Sequence, residues 1–197
     1  MSDKPVLVVA TGNAGKLREI KAILSNYTVL GAKEAGLCAD AEENGSTFRE
    51  NAAIKARELK KQTDYAVLAD DSGLCVDALD GAPGVYSARY AGDHATDGAN
   101  VDKLLAAIRD VPEEKRTARF RCAICLIRED GEEIYGDGSC EGRILFAPEG
   151  EGGFGYDPVF YSFDYNESFG TLSAEKKNLV SHRKRALEDL LEKLKRG

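Results

Sequence analysis

The chain has 197 residues, 43% hydrophobic and 31% charged. That is the balance of an ordinary globular chain, long enough to fold without a disulfide or metal staple. Its 27 Lys and Arg against 34 Asp and Glu leave a formal net charge of −7, which disfavours a nucleic-acid polymer as partner. The longest apolar run, Cys122–Ile127, falls far short of the ~20 residues that span a bilayer. The start, Met1 to Pro5, leads into an apolar stretch too short for a signal peptide. The expectation is one cytoplasmic domain over residues 1–197, with no membrane partner.

Val6–Ala10 is a continuous apolar run that suits a buried strand. It ends at Thr11-Gly12-Asn13-Ala14-Gly15-Lys16, and Leu17, Ile20, Ile23 and Leu24 follow at helical spacing. Phe48–Lys61 reads as a helix, with Thr47 and Glu50 forming a capping box. Ala66–Ala69 reads as a second buried strand, running into Asp70-Asp71-Ser72-Gly73. Val101, Leu104, Leu105 and Ile108 mark another amphipathic helix. Ala118–Ile127 and Glu133–Tyr135 read as a hairpin turned near Asp130-Gly131. Gly150–Gly155 is a glycine-rich loop, and a last helix starts at about Ser181. Strands mixed with helices imply an α/β fold, and the adjacent strands after 118 imply a mixed sheet. Cys122 and Cys125 lie i, i+3 on a strand and so face opposite ways. They and the other three cysteines read as reduced thiols.

Five stretches carry chemistry. Glycines at the Thr11–Lys16 turn let backbone N–H groups approach an anion, the helix N-terminus favours it, and Lys16 adds a charge. Asp70-Asp71 stands at the carboxyl end of a strand, where α/β sheets place their sites. Adjacent carboxylates call for a cation or hydrogen bonds, and Mg²⁺ takes such oxygen ligands. Strand geometry predicts that one Asp faces the site while the other is structural; a capped turn is the alternative. Glu42-Glu43 can add a metal ligand or form a solvated acidic loop. Phe154, flanked by glycines, can stack on a planar base, and Asp157 can accept from its edge. The basic run Lys176–Arg185 opposes the helix dipole at its N-terminus, a placement that a bound anion would offset. His182 within it can donate to a ligand carbonyl. Tyr86, Arg89 and Tyr90 suit packing or a subunit contact as well as catalysis.

The motifs TGNAGK, EENG–TF–EN, ADDSGL, GAPGVYSARYAG, TARFRC, GGFGYDP and SHR occur in this order. Together they resemble the inosine-triphosphate pyrophosphatase family. The resemblance implies a two-lobed α/β fold, a mixed sheet flanked by helices with the active site in a central cleft, and a homodimer. It implies Mg²⁺-assisted hydrolysis of non-standard purine nucleoside triphosphates (dITP, ITP, XTP) to monophosphate and pyrophosphate. Residue by residue, it assigns Thr11, Gly12, Asn13, Ala14, Gly15 and Lys16 to the triphosphate, Lys177 and Ser72 to further substrate contacts, and Phe154, Gly155, Tyr156, Asp157, His182 and Arg183 to the base. Asp71 matches the general base and a metal ligand, and Glu42 the other metal ligand, with Glu43 as its rival. A Maf-like pyrophosphatase of other base preference, and a nucleotide-binding regulatory module without turnover, are the competing readings.

Overall fold

A computed structural model describes residues 4–196. Met1–Asp3, on which part of the signal-peptide reading falls, and Gly197 lie outside the described residues. In chain order the principal elements are β1 (Val6–Val9), α1 (Ala14–Ile23), β2 (Thr28–Gly31), α2 (Phe48–Lys60), β3 (Ala66–Val76), α3 (Asp97–Ala107), β4 (Thr117–Ile127), β5 (Glu133–Ile144), β6 (Phe160–Ser162), β7 (Glu167–Ser168), α4 (Ala174–Val180) and α5 (His182–Arg196). The seven strands form one sheet in the order β2-β1-β3-β4-β5-β6-β7. β1 pairs parallel with β2 and β3, whereas β5–β6 and β6–β7 are antiparallel. The fold is therefore α/β with a mixed sheet. No helix among the described residues is long and apolar enough to cross a membrane.

The chain divides into two compact units, each assembled from separate segments: residues up to 71 with 122–138 and 183 onwards, and residues 72–121 with 139–182. In the first unit the strand period of two sorts side chains cleanly. Leu7, Val9, Leu68, Cys122 and Ile124 pack with Ile20 of α1 and with Ala186, Leu187 and Leu190 of α5. Their neighbours Val8, Ala10, Val67, Ala69 and Cys125 pack instead with Ala52, Ala53, Ala56 and Leu59 of α2. Cys122 and Cys125 thus fall in different cores as their spacing predicts, and all five cysteines are free. The Thr47–Glu50 capping box forms at the start of α2.

The second unit packs Val101, Leu104 and Ile108 of α3 against Leu74, Phe120, Ile144, Tyr156, Phe160 and Phe169. Arg116 is buried in this unit, and its guanidinium donates to the carbonyl oxygens of Ile108, Val111, Ile144 and Leu145. The carbonyls satisfy its donors without any carboxylate.

Two sequence expectations are corrected here. The alternative of a capped turn at the paired acids does not form, and the strand expected over Ala66–Ala69 does not end there. It continues through Asp70-Asp71-Ser72-Gly73 to Val76, because partners on each face satisfy the carboxylates where they stand. The strand at Glu133 extends to Ile144 rather than Tyr135; Gly136 and Gly142 sit where an added Cβ would strike Ala186 O and Tyr161 O. They are close-approach positions, not ends.

Candidate active site

The parity that sorts the core also separates the two acids. Residues 66, 68 and 70 of β3 point toward α1 and α5, whereas 67, 69 and 71 point toward α2. On the first face, buried Asp70 accepts through Oδ2 from Arg183 Nε at 3.1 Å and Nη2 at 3.0 Å. Lys16 Nζ lies 3.3 Å from the same oxygen. Arg183 also donates through Nη1 to Glu19 of α1. Burial opposes charge on Asp70, but Lys16, Arg183 and Lys55 outweigh it and hold the carboxyl well below the usual carboxylate range. Arg183 is charged over all accessible pH; burial opposes this, and Asp70 and Glu19 overcome it.

On the second face, Asp71 Oδ2 accepts from Asn51 Nδ2 at 3.1 Å, and Lys55 Nζ lies 3.3 Å from Oδ1. Lys55 Nζ also donates to Glu43 Oε2 at 3.0 Å. Burial pushes the Asp71 carboxyl above its ordinary value. Lys55 and Lys16 pull it back, Glu43 pushes it up again, and the Asn51 hydrogen bond lowers it; the net direction is upward. For Lys55, burial disfavours the ammonium, but Asp71, Asp70 and Glu43 together hold its pKa above the ordinary value. The loop before α2 is tied to the same place. Gly45 N–H donates to Asn51 Oδ1 at 2.8 Å, and a Cβ on Gly45 would lie 2.7 Å from that oxygen. The glycine of EENG is therefore required by the close approach of Asn51.

The Thr11–Lys16 turn is built by its own side chains. Asn13 caps α1 by accepting from Lys16 N–H at 3.0 Å, and Thr11 Oγ1 accepts from Asn13 N–H at 3.1 Å. Gly12 has no positive φ, and a Cβ there would meet no described atom within 4 Å. The chain's own packing therefore makes no demand for glycine at this position.

In the second unit, the glycine-rich loop closes on Asp157. Its Oδ2 accepts from Phe154 N–H at 2.9 Å and from Lys177 Nζ at 2.6 Å. Lys177 Nζ sits 4.6 Å from the centroid of the Phe154 ring. Gly153 adopts φ +75°, and a Cβ there would lie 2.1 Å from Asp157 Oδ2. Tyr156 is buried and donates its hydroxyl to Ser87 O at 2.7 Å. His182 is buried with its ring stacked on Phe120 at 4.9 Å. Ser72 is half-buried in β3. Arg89 lies over the ring of exposed Tyr86 at 5.3 Å, and Lys103 Nζ lies 4.6 Å from the centroid of the Tyr90 ring.

Several predicted site residues are thus brought together and others divided. Lys16, Asp70 and Arg183 form one group, and Asp71 joins Glu43, Lys55 and Asn51 in another. Glu43, half-buried, reaches this group, whereas Glu42 is exposed. Arg183, expected at a base, donates to Asp70 and Glu19. Those carboxylates offset the charge of Arg183 at the basic start of α5. Asn51, Lys55 and Glu19 escaped the sequence reading. The first two stand four apart on α2 beyond the capping box, a spacing that marks one helix face and was a usable signal.

An α/β chain whose mixed sheet carries adjacent, oppositely facing carboxylates on one strand is the class that this architecture defines. The chain belongs to the Ham1 family, whose model matches residues 7–193. A relative from Clostridium perfringens, named dITP/XTP pyrophosphatase, is 46% identical over 196 residues, covering 95% of this chain and 96% of the relative. One of the same name from Salmonella typhimurium is 48% identical over 195 residues, covering 97% and 98%. Among solved structures, a HAM1 protein from Coxiella burnetii matches with a TM-score of 0.85 and 41% identity, over 98% of this chain and 100% of that one.

Proposed function

We propose that this protein is a nucleoside triphosphate pyrophosphatase. It hydrolyses non-standard purine nucleoside triphosphates such as dITP, ITP and XTP to the monophosphate and pyrophosphate, and so clears them from the nucleotide pool. The observation that carries the reading is Asp71: a largely buried carboxylate with a raised pKa, oriented by Asn51 and Lys55 beside Glu43. Kinship with the relatives named dITP/XTP pyrophosphatase supports the substrate class.

The donor chemistry fits Mg²⁺. Glu43 and Asp71 both offer carboxylate oxygens to one cationic centre, the Lys55 ammonium, and Mg²⁺ is commonly held by one or two carboxylates, with water and substrate phosphates completing its shell. Asp71 with Glu43, or with Glu42 as the family resemblance assigns, would hold the ion. When bound it supplies charge neutralisation on the phosphates and a polarised water.

The chain's own residues do the rest. Asp71 takes the proton of the attacking water, a role suited to a carboxyl that burial holds above its ordinary value. Lys16, the Thr11 hydroxyl, the Asn13 side-chain amide and the N–H groups of Gly12, Ala14 and Gly15 bind phosphate oxygens, aided by the N-terminus of α1. The freedom of Gly12 from any packing demand supports close approach of a phosphate there. Lys177 and Ser72 are further substrate contacts in this reading. Phe154 stacks on the purine, with Gly155, Tyr156 and Asp157 shaping its pocket. His182 donates to the carbonyl at position 6, which hypoxanthine and xanthine carry and adenine lacks; a donor facing an amino group would be left unpaired. Arg183 serves this half indirectly, by anchoring the start of α5. A homodimer and a cytoplasmic location complete the reading.

Incubation with Mg²⁺ and dITP, XTP, dGTP or dATP, followed by product separation, tests it. Monophosphate and pyrophosphate from dITP and XTP, with slow turnover of dGTP and dATP, are expected. Orthophosphate release would overturn the assigned bond, and equal rates on all four would overturn the selectivity. Tight binding without product would favour a regulatory module.

A further inference from the structure

The glycine-rich loop is gripped from two sides. Asp157 holds Phe154 N–H from within the loop. From outside it, Asp97, 58 residues away in sequence, accepts the next amide, Gly155 N–H, through Oδ2 at 2.8 Å. Two successive backbone N–H groups, those of Phe154 and Gly155, are thus each fixed by a carboxylate. Gly155 adopts φ +61°, a left-handed conformation that glycine visits freely and therefore does not hold by itself. An outside acceptor supplies what the glycine lacks.

Asp97 is well placed to hold rather than merely touch. It is the first residue of α3, whose N-cap Thr96 accepts from Ala99 N–H at 3.1 Å. Asn100, one turn on, is buried and ties the helix to the preceding segment, accepting from Ala91 N–H at 2.7 Å and donating to Ala88 O at 3.2 Å. Val101, Leu104 and Ile108 bury the inner face of α3 in the core that also holds Tyr156. The carboxylate of Asp97 is therefore carried on a packed helix, while the amide it holds belongs to a loop of four glycines between 150 and 155.

We propose that Asp97 is a positioning residue for purine recognition: by fixing Gly155 N–H it sets the orientation of the Phe154 ring against the base, without itself contacting substrate. The inference rests on the reading of Phe154–Asp157 as the base-binding segment. It assigns to the base contacts a residue from a segment that carries no other part of the site.

The test compares Asp97→Ala, which removes the acceptor, with Asp97→Asn, whose side-chain carbonyl still accepts. A net hydrogen bond of about 0.5–1.5 kcal/mol converts to roughly a two- to twelvefold change in an equilibrium constant. Asp97→Ala is expected to raise KM for dITP by about that factor, with kcat within about twofold. The inhibition constant of inorganic tripolyphosphate, which has no base, should stay unchanged, and Asp97→Asn should restore KM. Equal weakening of dITP and tripolyphosphate, a fall in kcat alone, or no change in KM would each overturn the proposal. If the wild-type protein releases no pyrophosphate, the functional reading itself fails. Calorimetric binding of dIMP to the three proteins then still decides on Asp97, since loss of affinity in Asp97→Ala and its return in Asp97→Asn remain the required pattern.

Discussion

Arg183→Met is the substitution that most directly tests how the paired acids are held. Methionine keeps much of the volume and removes the charge. Arg183 is fully buried, donating to Asp70 at 3.1 and 3.0 Å and to Glu19. Its removal takes the guanidinium from two buried carboxylates, while Lys16 stays 3.3 Å from Asp70. Breaking a buried ion pair from one side costs about 3–5 kcal/mol, which for a chain of this size lowers Tm by roughly 10 °C. The penalty carries a pH signature. In the wild type the Asp70 carboxyl lies well below its ordinary value of 3.8. Its contribution to stability is therefore fully present above pH 3.8 and is lost as pH falls through the folded-state value. In the variant burial dominates and the folded-state value rises above the unfolded one. The loss is then greatest at pH 7 and shrinks as pH falls and the carboxyl protonates. Urea denaturation of both proteins at pH 7 and pH 4.5 measures this. A variant within about 1 kcal/mol of wild type at pH 7, or a gap that does not narrow by pH 4.5, would refute the reasoning.

Asp71→Asn should fold normally and lose roughly 10²–10⁴-fold in turnover, the usual contribution of a positioned base. The wild-type rate should rise with pH along a limb lying above 3.8, because burial moves the Asp71 carboxyl upward and only its ionised form accepts a proton; a limb centred below 3.8 would contradict the assignment. Glu43→Gln should raise the Mg²⁺ concentration needed for half-maximal rate more than Glu42→Gln does, since Glu43 reaches the Lys55 and Asp71 group; the reverse order would return the ligand role to Glu42. Gly153→Ala would place a Cβ 2.1 Å from Asp157 Oδ2 at φ +75°. Strain of about 1–3 kcal/mol should appear as a lower Tm and a higher KM for dITP.

The sequence made most elements legible because most obey their local period. Val6–Val9 and the helix capped by Thr47 follow directly from apolar spacing and capping chemistry. β3 was cut short for a physical reason: Asp70, Asp71 and Gly73 disfavour strands by propensity, yet propensity yields where each side chain has a tertiary partner. Those partners, Arg183 at 113 residues from Asp70 and Asn51 at 20 residues from Asp71, do not register in a local window. Strand parity did predict that the two acids face opposite ways. It did not predict that both faces are charged and built.

The division of the acids also changes what the net charge of −7 means. Around β3, Lys16, Lys55 and Arg183 stand against Glu19, Glu43, Asp70 and Asp71, three cations to four carboxylates. Asp70 is paired through Oδ2 with both Arg183 and Lys16. On the α2 face, Glu43 and Asp71 both engage the ammonium of Lys55. If the triphosphate binds at the Thr11–Lys16 turn as proposed, it meets a lysine already partnered by Asp70, so attraction by the protein alone is expected to be weak. A divalent cation drawn to Glu43 and Asp71 reverses that balance locally. The arrangement thus predicts that triphosphate affinity depends steeply on Mg²⁺, and that Asp70→Asn, which releases Lys16 from its carboxylate, lessens that dependence.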